Sequence, residues 1–346
     1  MKTTTVLLGA ALALASFSSP ALATTMFGSL SNFDVINDTG QVTRGFEIEL
    51  EGVSPADISF TFGNPYIRYG DPVKVATGTG TGTIVRYASA FGGSGWAVGT
   101  PVPAGPFTTG GHQCYIQGDP NYDTLGCEHF GIALNGNPTN TIYRWLLGDA
   151  SGNLNAAGTN VKIPAPVWNV VPQPNPVAPA AVQAVVPAPP KENPGDLFGE
   201  AMWVKVFVTE SSAPAELDHL VVGDPAVPDG SDPAEVEIEW QLLQAGKGGG
   251  LDEVDSGLND MAADSESVTR RYEFYKYIGP YDVDGEALVE DPVANPDALG
   301  EFLGAQNAAF NLAPFVIPEP GTLTLLGVGL AGMAGCRRQR TKVDAA

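Results

Sequence analysis

The clearest pattern along the chain is strict alternation. In Phe46-Glu47-Ile48-Glu49-Leu50-Glu51 the apolar side chains fall on one face of an extended backbone and the carboxylates on the other, which is a half-buried strand. Comparable segments recur at 58–62, 83–87, 130–134, 141–147, 202–208, 236–242 and 268–277, separated by Gly, Pro, Asn and Asp. No amphipathic helix of useful length interrupts them, so alternating βαβ units and a nucleotide-binding parallel sheet are not expected. The spacing predicts an all-β, antiparallel, β-sandwich-like fold in one or two domains.

Between 164 and 194 proline, alanine and valine dominate, a composition suited to extended polyproline segments. Read as a boundary, this stretch divides the chain into an N-terminal segment 1–23, a β domain 24–163, a proline-rich linker 164–194, an acidic β domain 195–313 and a tail 316–340. The alternative is a long proline-rich loop crossing one sandwich, with Trp168, Val170 and Val171 packed on a neighbour. A second soft stretch, 246–267, holds the glycines 248–250 followed by Asp252, Glu253 and Asp255, and reads as a loop.

Both ends carry addresses. Met1 and Lys2 precede an apolar run at 6–15 that is too short for a bilayer span, and Pro20 and Ala21-Leu22-Ala23 follow it. Small residues Ala21 and Ala23 suit a signal peptidase, which predicts a signal peptide 1–23 cut before Thr24; an uncleaved anchor is the alternative. At the other end Pro318-Glu319-Pro320-Gly321 leads into an apolar run at 322–336 and a basic cluster of Arg337, Arg338 and Arg340. Basic residues stay on the cytoplasmic side of a membrane, which would place the run in the bilayer and hold Glu319 at its outer face. The flanking prolines deny that segment a helix and keep it extended for a cleft that reads a carboxylate.

This tail resembles the PEP-CTERM sorting signal, with Ile317 where valine is common. The resemblance implies recognition by an exosortase, removal of the transmembrane helix 322–336, and delivery to the outer envelope or to an extracellular polysaccharide matrix after transient anchoring in the inner membrane. The apolar run, about 15 residues at about 1.5 Å each, is short for a permanent span of about 20. A single-pass anchor that is never cut is the alternative.

With residues 1–23 and 322–346 set aside, 12 Lys and Arg stand against 38 Asp and Glu, a net charge near −26. Such a surface repels nucleic acid and anionic headgroups and favours solubility or contact with divalent cations. The 42 glycines and 29 prolines argue against a helical fold.

The sharpest chemical constellation is His112-Gln113-Cys114 with Cys127-Glu128-His129. On strands, residues two apart share a face, so His112, Cys114, Cys127 and His129 can converge as four ligands for tetrahedral zinc. A Cys114–Cys127 disulfide is the simpler account, since these are the cysteines left once Cys336 departs with the tail and export exposes them to oxidation. A disulfide would also abolish a catalytic Cys-His pair. Gly93-Ser94-Gly95 lacks the Gly-x-Ser-x-Gly spacing of a serine hydrolase, and the glycines of 78–82 lack the nucleotide-binding fingerprint.

Asp282, Asp284 and Glu286 suggest a calcium loop, but Val293 stands where an EF-hand needs its glutamate. A calcium site of another kind and a solvated acidic turn both remain open. Asp224, Asp229 and Asp232 form a similar acidic loop. Trp96, Tyr115 and Tyr122 are candidates to stack on sugar rings, or else they pack into the core. The expected function is an exported envelope or matrix protein, structural or binding, held among polysaccharides, with no catalytic motif and no cofactor other than calcium. The alternatives are an extracellular hydrolase of matrix glycans, which needs two carboxylates at a set separation, and a calcium-dependent adhesion module.

Overall fold

The computed structural model describes residues 26–97, 102–104, 113–115, 120–158, 161, 163–171, 181–191, 193–221, 224, 227–228, 237–246, 253–255, 259–260 and 265–312. In chain order the strands are β1 Met26–Ile36, β2 Gly45–Glu51, β3 Ile58–Thr61, β4 Val73–Ala76, β5 Gly82–Ala88, β6 Phe91–Gly92, β7 Gly95–Trp96, β8 Cys127–Leu134 and β9 Asn140–Gly148. They continue as β10 Leu154–Ala156, β11 Val167–Val171, β12 Ala181–Pro187, β13 Met202–Ser211, β14 Glu237–Leu243, β15 Glu253–Asp255, β16 Asn259–Asp260, β17 Ser267–Tyr277 and β18 Leu299–Leu312. Among the described residues every strand pairing is antiparallel, as the alternation predicts.

The main sheet has the order β14-β13-β17-β18-β1-β8-β3, and its inner face is covered by two smaller sheets, β10-β9-β2-β5-β4 and β11-β12-β15 with β16. Between the main sheet and the five-stranded sheet lies an aromatic core. Phe46 stacks on Phe130 at 4.2 Å and Phe33 on Tyr143 at 4.5 Å, with Trp145 set edge-on to Phe46. Farther along the same face, Trp168 of β11 meets Phe310 of β18 at 5.7 Å, so one continuous core runs beneath all three sheets. This is a sandwich of a wide sheet on two narrow ones.

Two expectations are corrected by this topology. The linker expected at 164–194 contains β11 and β12, paired in register from Val167↔Val185 to Val171↔Ala181, with Trp168 buried. The main sheet also draws β1, β3 and β8 from one side of that stretch and β13, β14, β17 and β18 from the other, so no break in the sheet falls there. Apolar burial outweighs the polyproline preference wherever alternate side chains, here Val182, Ala184 and Val186, reach a core. The soft stretch 246–267 likewise contributes β15 and β16, which pair with β12.

In β2 the apolar set Phe46, Ile48 and Leu50 is buried, as the pattern requires. Glu47 is buried too, because Arg86 on the neighbouring β5 pairs with it, and Arg144 on β9 pairs with Glu49. These cross-strand ion pairs let carboxylates sit on the second face of a central strand.

A candidate ligand cleft on the outer face of the main sheet

On β1 and β8 the residues Leu30, Asn32 and Asp34 stand opposite Ala133, Gly131 and His129. Their neighbours Phe33, Val35, Phe130 and Ile132 point into the core, so this polar set lies on the outer face of the sheet. It is nevertheless buried, because three further pieces of chain cover it.

The first cover is Phe62. Its backbone N–H bonds to Gly131 O at 2.9 Å, and its ring lies across Gly131 and stacks at 5.5 Å on His129. A side chain at Gly131 would collide with the ring, so glycine is what admits this approach. Beyond Phe62 the chain carries Asn64, Tyr66 and Asp71, with Asp71 Oδ1 accepting the Asn64 N–H at 2.9 Å.

The second cover is the segment 113–115, pinned by a Cys114–Cys127 disulfide whose Cα atoms are 5.6 Å apart. The Gln113 N–H donates to Asp34 Oδ2 at 3.0 Å, while Asp34 Oδ1 lies 2.6 Å from His129 Nδ1. Tyr115 then stands with its ring 5.9 Å from that of His129.

The third cover is a 3-10 turn, Leu217–His219, held by asparagines of the sheet. Asn32 Nδ2 donates to Leu217 O at 3.0 Å and Asn307 Nδ2 to Leu220 O at 2.8 Å. Asn311 both accepts the Ala215 N–H at 2.7 Å and donates to Ala215 O at 2.9 Å. Leu30, Ala215, Leu217, Leu220 and Ala309 form a small apolar cluster beneath the turn. Asn32, Asn307 and Asn311 of this sheet face are therefore the fasteners that hold the turn in place.

The covers leave a cleft of about 760 Å³. Its floor is Leu30, Ala133 and His129; one lip carries Phe60, Phe62, Asn64, Tyr66 and Asp71; the other carries Glu216 and Asp218; Tyr115 also lines it. Phe60 and Tyr66 are 55% and 47% exposed at the rim, with Phe62 edge-on to the Phe60 ring at 6.1 Å. Glu216, Asp218 and His219 place their ligand atoms within 4.8 Å of one another, all exposed.

Glu128, next to His129 in sequence, faces the sandwich interior. The Tyr122 hydroxyl donates to its two oxygens at 2.5 and 2.7 Å, the backbone N–H groups of His129 and Arg68 at 3.1 and 3.3 Å, and Arg68 Nε lies at 3.3 Å. Complete burial pushes the carboxyl up to about 7, against the Arg68 charge and the Tyr122 hydrogen bond that hold it down. The Arg68 guanidinium also lies over the Tyr122 ring at 4.3 Å. This network fastens the base of the loop that carries Asn64 and Tyr66.

The disulfide removes Cys114 and Cys127 as thiolate ligands, which corrects the zinc reading; His129 is engaged with Asp34, and His112 lies outside the described residues. At the calcium loop, Asp282 Oδ1 accepts the Asp284 and Glu286 N–H groups at 2.9 and 2.8 Å, closing a turn. Asp282, Asp284 and Glu286 do not converge; among the described residues the group that does is Glu216, Asp218 and His219, which the sequence reading passed over. Asp229 and Asp232 lie outside the described residues.

Of the aromatics singled out, Tyr115 reaches the cleft, whereas Tyr122 is buried on Glu128. Trp96 packs on Phe91 at 5.0 Å and donates to Asp149 O at 3.0 Å. Phe60 and Tyr66 were missed. Phe60 lies in a predicted strand whose alternation gave no sign that this edge is uncovered.

β18 ends at Leu312, close in sequence to the tail, and residues 316–339 match the PEP-CTERM protein-sorting motif. The chain carries an exosortase sorting signal. A PEP-CTERM motif implies an exported protein processed by an exosortase and sorted at the membrane; Pro318, Glu319, Pro320, Arg337 and Arg338 fall inside the match and Arg340 lies just beyond it. The signal peptide 1–23, with Ala21 and Ala23, and the helix 322–336 lie outside the described residues; among the described residues no helix is long and apolar enough to cross a membrane. No curated protein and no solved structure matches this chain.

Proposed function

We propose that this exported, exosortase-sorted protein is a binding protein of the outer envelope or extracellular matrix, freed of its signal peptide by signal peptidase, that holds a polysaccharide in the cleft of the main sheet. The observation that carries the reading is the pair of exposed rings, Phe60 and Tyr66, at the rim of a cleft that also presents Asn64, Asp71, Glu216 and Asp218. A sugar ring has an apolar C–H face and an equatorial belt of hydroxyls. An aromatic face attracts the first through its negative quadrupole, and carboxylates and amides accept from the second. The cleft volume is within the range of a small-ligand site, about 300–1,000 Å³.

Titration of the full chain with soluble oligosaccharides tests this. Binding that is lost in Phe60→Ala and Tyr66→Ala, with thermal stability unchanged, supports the reading; binding indifferent to both substitutions overturns it.

A second reading, a glycan hydrolase, draws on carboxylates standing on both lips of the cleft. Against it, Glu128, the carboxyl held up to about 7 and so suited to a general acid, lies in the sandwich interior and not in the cleft. New reducing ends on incubation with a bound oligosaccharide would favour hydrolysis over binding alone. The calcium-dependent adhesion reading has support only from the exposed group Glu216, Asp218 and His219.

A further inference from the structure

The lining of the cleft is unbalanced in charge. Asp71 stands on one lip and Glu216 and Asp218 on the other, and among the described residues the lining includes no lysine or arginine. His129, on the floor, has its Nδ1 turned to Asp34 at 2.6 Å. The carboxylates of Glu216 and Asp218 and a ring nitrogen of His219 come within 4.8 Å of one another; the two like charges repel, and a cation set beside both relieves the repulsion.

We propose that the cleft selects glycan chains bearing protonated amines, of the glucosamine type, over the same chains with acetylated nitrogen and over uronate chains. The proposal rests on the saccharide reading and names its ligand class. The rings of Phe60 and Tyr66 take the C–H faces of the sugars and do not distinguish the three. The distinction comes from the carboxylates. An ammonium on the sugar donates charge-assisted hydrogen bonds to Glu216 and Asp218, an acetamide offers one neutral N–H, and a uronate brings a like charge into a negative cleft. The net charge of the chain, near −26 without its terminal signals, acts in the same direction by drawing polycations and repelling polyanions at a distance.

The test is calorimetric titration of the full chain, in chelator, with three probes of equal length: a glucosamine oligomer, its fully N-acetylated counterpart and an oligouronate. The expected result is that the glucosamine oligomer binds about tenfold or more tighter than the acetylated one at low salt and that the preference fades at about 0.5 M salt. The oligouronate should not bind. Glu216→Gln and Asp218→Asn, at exposed positions, should bring the two affinities together by weakening the glucosamine oligomer more than the acetylated one. Equal binding of glucosamine and acetylated chains, still dependent on Phe60 and Tyr66, overturns the amine selectivity and leaves the saccharide reading standing. Binding of the oligouronate, or of neutral chains only when calcium replaces chelator, also overturns it. Failure of all three probes to bind overturns both readings.

Discussion

Asp34 and His129 face each other across the β1–β8 pairing, Oδ1 to Nδ1 at 2.6 Å, and the second Asp34 oxygen takes the Gln113 N–H. One buried carboxylate therefore joins two central strands to the disulfide-held segment that lines the cleft. Leaving a buried donor without its acceptor costs about 1–3 kcal/mol. Asp34→Asn is expected to lower unfolding free energy by an amount in that range, read from the denaturant midpoint at unchanged slope.

The Cys114–Cys127 disulfide closes a short loop, for which the chain-entropy estimate gives about 3 kcal/mol. Reduction, or Cys114→Ser with Cys127→Ser, is expected to lower stability by about that amount and to release Tyr115 from His129. Hydrogen exchange at residues 113–115 measures the second effect. Protection there that survives reduction would show that Asp34 alone holds the segment.

The turn that carries Glu216 and Asp218 hangs on asparagine side chains. Asn311→Ala leaves the Ala215 N–H and C=O without their partner, and a buried group left unsatisfied costs about 1–3 kcal/mol. The variant is expected to lose stability in that range and to weaken ligand binding, while Glu216→Gln, at an exposed position, changes stability by less than about 0.5 kcal/mol. Chemical denaturation of the two variants side by side separates these effects.

Glu128 sets a pH dependence whose sign runs opposite to that of an ordinary surface carboxylate. Its carboxyl is raised in the folded state from 4.5 to about 7, so between those values the native chain keeps a proton that the unfolded chain releases. Its contribution to stability is complete below about 4.5 and is lost as pH rises through about 7, by on the order of 3 kcal/mol. Subtracting the pH–stability curve of Glu128→Gln from that of the parent chain isolates this contribution. A difference that is flat from pH 4 to 8 (roughly the window of the shift) contradicts the assignment.

The most legible strand is β2, where Phe46, Ile48 and Leu50 meet the core while the carboxylates between them meet cross-strand arginines. β1 and β18 were not legible. Their outer faces carry Asn32, Asn307 and Asn311, buried to fasten a turn, and Asp34, buried to hold the segment 113–115, and β18 includes five glycines and alanines. Polar burial and small side chains both erase the period on which such reading depends. The proline-rich stretch misled for the converse reason: composition reports what a segment prefers alone, and Trp168 and Val182 had a core to reach. At the cleft, Tyr115 is one of the three aromatics the sequence offers as sugar-stacking candidates, whereas Phe60, Tyr66, Glu216 and Asp218 are ordinary residues until the sheet edge and the asparagine-held turn bring them together.

The most direct test of the saccharide-binding account is a crystal structure of the protein with a bound oligosaccharide. The account predicts a sugar ring lying flat against Phe60 or Tyr66 with its polar edge toward Asp71, Glu216 or Asp218. A sugar bound elsewhere on the surface, with the cleft empty of it, would contradict the account.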